Sequence, residues 1–447
     1  MLFPSLGSVL VWCAPALASA HAFGQQYSLP LPLNLYIAGG VCAFLASCAL
    51  LIFLKKGRVV PELIVPIPEK VFDVVRTILS WGVLAILGVC LVVGLFGPST
   101  SYDNLLVIVF WIGLVLVVPY SAVLVDGLWE FSSPFKRVGS FFAKRQVNEW
   151  SDGYWHAVAG YAVLIVLELF LSQYSTTPKL LSVIILVYTV WLGVAVMWWG
   201  LTWLNYGEVF TVFIRTVGTI ASLRIEEGKL VLASPATRLA TATTSHLSLV
   251  VFILFGLAAT AYDGIRDTLA WFQLLNPIPF GTFADTSLFS FVVLPLLFFG
   301  LYAGAMYAMQ KLVGEHDSVE RYMLRFAFSL IPIMIAYHFA HYFELIFTTG
   351  AYAIPLISDP FALGWNLFGT AAIDASRLIG AQAIWYVQFV TIVGAHIFAA
   401  YVAHRIALME FVDHRRALLS QLPLIVLMVF YTAFGLWILG QPYMPPV

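Results

Sequence analysis

In the stretch AYHFAHYFEL, His338, His341 and Glu344 recur at i, i+3 and i+6, with Tyr337 and Tyr342 beside them. At about 100° per residue the three fall on one helix face roughly 120° wide. Imidazole and carboxylate suit zinc, iron, manganese or copper, and a helical H-x-x-H pair can give two ligands to one metal. The plainer use of the same residues is a buried His, Glu and Tyr network that holds helices together. A second stretch, AYDGIRD, sets Asp263 and Asp267 on either side of Arg266. The third is PALASAHAFGQQY, in which Ala18-Ser19-Ala20 forms an A-x-A cleavage pattern after an apolar run and Pro15. Cleavage after Ala20 makes His21 the mature N-terminus. Its α-amine and imidazole can then chelate one ion, and copper is the ion best suited to that pair.

The elements that carry these residues must cross a bilayer. Of 447 residues, 61% are hydrophobic and only 10% charged, where soluble domains carry roughly 25% charge; the mean hydropathy is +0.94. Apolar runs of about 20 residues suit helices that cross a hydrocarbon core of roughly 30 Å. The shorter alternating segments of a membrane barrel are absent. The expectation is an all-α polytopic transmembrane bundle of about ten helices: 33–54, 75–97, 105–125, 156–174, 180–204, 246–263, 287–310, 323–349, 383–404 and 420–440. Residues 1–20 are a signal peptide and 21–447 a single helical domain. A net charge of −1 speaks against a nucleic-acid partner. Cys42, Cys48 and Cys90 lie inside apolar runs and suggest no disulfide framework or zinc ribbon.

Charge orients the bundle. Five alternate loops hold 19 of the 22 basic residues, leaving Lys179, Arg266 and Arg377 on the other side. By the positive-inside rule the basic side is cytoplasmic, so both termini lie outside, as the signal peptide also requires. His338, His341 and Glu344 then fall in the outer half of the eighth span, level with Asp263, Asp267 and Glu168, while His396 lies near the middle of the ninth. The inner segment GEVFTVFIRTVGTIASL has helical apolar spacing flanked by Arg215 and Arg224, and is expected to lie along the inner interface. The outer segments 264–286 and 350–382 are rich in Pro, Gly, Trp and Phe and are expected to pack as a cap. Gly300-x-x-x-Gly304 reads as a close helix contact. No P-loop, dinucleotide fingerprint, G-x-S-x-G or H-E-x-x-H is present.

HAFGQQYSLPLPLNLY, GEVFTVFIRTVG, AYDGIRDT, IPIMIAYHFAHYF, SDPFALGWNLFG, WYVQ, GAHIFAAYVAHRIAL and YTAFGLWIL together resemble a family of bacterial multi-pass membrane proteins named fenitrothion hydrolase. The resemblance spans nearly the whole mature chain and implies an inner-membrane enzyme that splits a nitrophenol from a dialkyl thiophosphate. It brings no catalytic residues with it. From the residues alone, such chemistry asks for a metal-activated hydroxide. His338, His341, Asp263 and His21 are the expected ligands of a copper or zinc ion, with Asp267 and Glu344 as the catalytic carboxylates. The substrate is expected to be small and hydrophobic, entering from the bilayer, and a second membrane or periplasmic subunit is a candidate partner.

Two other classes compete. A copper-handling or metal-transport protein would pass the ion from His21 to His338, His341 and His396, and should show polar residues continuing inward; His246 and Asp126 are the obvious continuations. A membrane subunit of a redox complex would use the histidines for haem or copper. The absence of C-x-x-C-H rules out covalently attached c-type haem, and a visible spectrum separates the remaining case.

Overall fold

The computed structural model of the chain describes residues 32–54, 61–143, 150, 152–266, 268–275, 283–314, 317–373 and 379–441. Nine of the described helices are long and apolar enough to cross a membrane. They are α1 (Leu33–Leu51), α2 (Glu69–Phe96), α3 (Leu105–Leu124), α5 (Pro178–Trp199), α7 (Leu247–Arg266), α8 (Phe283–Val313), α9 (Val319–Phe347), α10 (Ala381–Glu410) and α11 (His414–Leu439). The remaining expected span is α4 (Trp155–Leu169), an apolar helix of only 15 residues. At 1.5 Å per residue it extends about 22 Å, short of a hydrocarbon core of roughly 30 Å. That shortfall matters below.

The apolar fragments assemble around α7, which is buried along almost its whole length from Ser248 to Ile265. It packs on α4, α8 and α9, while α10 and α11 pack on each other and on α1. A helix hydrophobic on all sides belongs inside a bundle rather than at its lipid surface.

Three loops that charge assigns to the same side meet in a small sheet that the sequence did not announce. β1 (Leu63–Pro66) pairs antiparallel with β4 (Lys229–Leu232), β4 antiparallel with β3 (Leu223–Glu226), and β3 parallel with β2 (Val125–Asp126). The β3–β4 hairpin turns on Glu227 and Gly228, both at positive φ (47° and 75°), the backbone that a two-residue primed turn requires. Arg224 reaches Glu62 at 3.0 Å, and Arg238 reaches Asp126 at 2.7 Å while donating to the carbonyls of Gly218 and Ala221. The loops expected on one face are thus joined there, and the opposite face is called distal below.

Three expectations of detail differ from what is observed. Helix α6 (Val209–Gly218), expected along the interface, is buried at every position except Arg215. It packs on α3, α4 and α9, and its polar side is covered as well, where the buried Thr211 hydroxyl accepts from Trp129 Nε1 at 2.9 Å. Gly300 and Gly304 make no close helix contact: a Cβ at either would meet nothing within 4 Å. Within 350–382, Leu356 and Phe361 pack inward, but Leu363, Leu367 and Phe368 remain more than 60% exposed. The segment closes on itself, with the Ser358 hydroxyl bonded to Thr370 at 2.7 Å and accepting from Phe368 N at 3.1 Å.

A glycine that does permit close approach is Gly435 on α11, where a Cβ would fall on the Tyr337 hydroxyl, which donates to the Tyr431 carbonyl. Gly435→Ala should force Tyr337 aside and break that bond, destabilising the protein by about 1–3 kcal/mol. Thermal unfolding in detergent will show the loss, and Gly300→Ala, with open space around it, should show none.

Candidate functional site

Because α4 stops early, the chain must turn back inside the bundle's distal end. Residues Ser172–Ser175 form a one-turn helix there, and the last carbonyls of α4 are capped from elsewhere. Ser175 donates to Leu167 O at 2.7 Å and Arg266 to Leu169 O at 2.8 Å. Trp111 Nε1 donates to Ser175 O at 3.1 Å, and Ser101 to Thr176 O at 2.9 Å. Above the shortened helix this leaves a cavity of about 250 Å³, lined by Glu168, Tyr342, Trp111, Gln173 and Thr349 among others.

One wall belongs to α3, whose residues Val109–Val117 are wound as a π-helix. Such wide turns are rare and concentrate at functional sites. Another wall belongs to α9. This helix tightens to a 3₁₀ turn over Ala327–Leu330 and resumes as α-helix at Ile331. Pro332 explains the break, since it has no N–H for the ladder and its ring crowds the preceding turn. All the candidate residues of α9 lie beyond that break.

The polar groups form a line. Tyr342, on the cavity wall, donates its hydroxyl to Asp263 Oδ2 at 2.9 Å, and His341 Nε2 lies 2.6 Å from the same oxygen. Glu168 lines the same cavity as Tyr342. Glu168 and Tyr342 thus face the cavity, and Asp263 with His341 lies behind the phenol. With the Asp263 carboxylate accepting, Nε2 carries the His341 proton and Nδ1 keeps its lone pair. Gly264 gives that ring room: a Cβ there would lie 3.7 Å from His341 Nδ1 and 2.8 Å from Ile438 Cγ2.

Of the residues singled out from the sequence, the structure joins Asp263 and His341. His338 lies one turn deeper and turns elsewhere. Its Nδ1 is 2.9 Å from the Tyr120 hydroxyl, and Phe213 packs against its ring. The H-x-x-H pair is therefore divided between α3 and α7. Glu344 is buried on α9. His21 and Asp267 lie outside the described residues. His396 is apart from the cluster, its Nδ1 2.8 Å from the Ile392 carbonyl and its ring between Phe44 and Tyr337. Among the described residues no group of three or more His, Cys, Asp or Glu side chains is placed to hold a metal ion. The described donors alone do not compose a copper or zinc sphere.

Sequence reading gave Tyr342 no role and left Glu168 unassigned. Tyr342 stood in the motif, but a tyrosine between apolar neighbours looks like any helix-packing aromatic. Glu168 gave one signal, a lone carboxylate inside an apolar run.

Comparison with known protein families, with curated proteins and with solved structures finds no match to this chain.

Proposed function

We propose that this protein is a membrane hydrolase acting on small, neutral, apolar triesters of the organophosphorus type, from a cavity on the periplasmic side of a bacterial inner membrane. The observation that carries the reading is that Glu168 and Tyr342 line one cavity, with the Tyr342 hydroxyl bonded to Asp263 and His341 paired with the same carboxylate behind it. A carboxylate on a cavity wall beside a phenol that is itself bonded to a second carboxylate is suited to general acid and base work.

In this reading Glu168 accepts a proton from water as the water oxygen attacks phosphorus. The P–O bond to the aryl group breaks with its electron pair on the aryl oxygen, and the products are the dialkyl thiophosphate and a nitrophenolate. The proton taken by Glu168 passes by way of Tyr342 toward Asp263, which the His341 Nε2–H holds in place, and is returned from there to water. The aromatic and aliphatic wall, Trp111 above all, holds the greasy substrate and excludes bulk water. A carboxylate bonded to an imidazole is also the arrangement that orients a metal-bearing histidine. A copper or zinc ion would then rest on His341, and no step above depends on it.

The test is protein reconstituted in liposomes with a nitrophenyl dialkyl thiophosphate, followed by nitrophenol absorbance. Elemental analysis of the same preparation is made beside a His341→Ala variant. Catalysed release above protein-free liposomes is the expected result. Folded protein that releases nothing, with or without added copper or zinc, overturns the reading. Stoichiometric metal lost in the variant would add the ion to the site.

A further inference from the structure

A second cavity, of about 400 Å³, lies on the other side of the π-helical segment of α3. It arises because α4 and α5, though consecutive spans, pack on different neighbours. Helix α4 leans on α6 and α7, while α5 leans on α2 and the short helix Pro134–Phe142. The gap between them is walled by Gly160 and Leu164 of α4, Ile184 and Trp191 of α5, and Phe110 and Leu114 of α3. Along α4 it runs from His156 to Leu167, about 16 Å at 1.5 Å per residue, or over half the thickness of a hydrocarbon core.

Its walls ask for no polar ligand. His156 Nδ1 accepts from Trp203 Nε1 at 3.0 Å, and Tyr188 donates to Glu208. Both polar side chains on the wall thus already have partners within the protein. An apolar space of this size does not retain water, and left empty it would deprive its lining of dispersion contacts. It is also open sideways: Val163 and Trp191 on its rim are 58% and 47% exposed. In a bilayer that opening faces lipid tails.

We propose that the cavity between α4 and α5 is a binding site for one extended acyl chain of a membrane phospholipid. The chain enters from the side and lies along α4 between His156 and Leu167. The proposal stands apart from the hydrolase reading, since it uses neither Glu168 nor Tyr342.

The test uses vesicles of phosphatidylcholine in which one acyl chain carries a mid-chain diazirine. After irradiation the cross-linked peptides are mapped by mass spectrometry. Cross-links should concentrate on Gly160–Leu167 and Ile184–Trp191, several-fold above those on the lipid-facing residues Val292 and Leu296 of α8. Ala159→Trp, which fills the cavity from α4, should remove the excess and leave α8 labelling unchanged. Ile184→Trp, from the opposite wall, repeats the test if the first variant fails to fold. Labelling of α4 and α5 no denser than that of α8, or undiminished in the folded variant, overturns the proposal.

Discussion

Glu168→Gln should abolish triester hydrolysis, lowering kcat by about 10²–10⁴, the usual contribution of a positioned acid or base. The amide keeps the shape of the carboxyl, so the bundle should remain folded with an unchanged melting temperature. What it removes is the capacity to take a proton at the cavity wall. Tyr342→Phe, which interrupts the line between Glu168 and Asp263, should also lower kcat while leaving KM close to that of the parent. Initial rates of nitrophenol release in liposomes decide the matter. Full activity in Glu168→Gln would remove Glu168 from the chemistry and with it the mechanism proposed here.

Asp263→Ala is expected to be the most damaging single change to stability. The carboxylate is 95% buried and accepts from both His341 and Tyr342. Truncation removes the acceptor of a buried imidazole and a buried phenol at once, and breaking a buried pair in this way costs about 3–5 kcal/mol. Partners found by the unfolded chain within a membrane reduce such values toward the lower end. Asp263→Asn retains one oxygen acceptor and should be milder. Melting of the detergent-solubilised variants should therefore rank parent, Asp263→Asn and Asp263→Ala in that order. Equal melting of Asp263→Ala and parent would show that the network does not hold α7 to α9.

The two variants bear on different links of the same line. Loss of activity without loss of stability at Glu168, against loss of stability at Asp263, would separate the group facing the cavity from the groups that position it. A common collapse of both would mean that the line is a packing device, the plainer use of His, Glu and Tyr within a bundle.

The sequence by itself determined the class of the molecule, because membrane insertion is governed by local quantities. Run length, apolar content and the sidedness of Lys and Arg are all read along one strand of text, and the described helices follow nine of the ten expected runs at full length. Even α4 was placed, though its 15 residues gave no hint that stopping short would open a cavity. The contents of that cavity depended on tertiary packing. Residues at i and i+3 share a helix face, yet His338 meets Tyr120 of α3 and His341 meets Asp263 of α7, since neighbouring helices contact the face at different depths. Glu168 and Tyr342 are 174 positions apart, and no periodicity links residues on different helices. The four-stranded sheet joining three loops was hidden for the same reason: its partners are chosen by where helices end in space. A chain in a bilayer announces which segments cross, because each crossing is decided by its own free energy of transfer, whereas a site between crossings is decided by which helices pack together.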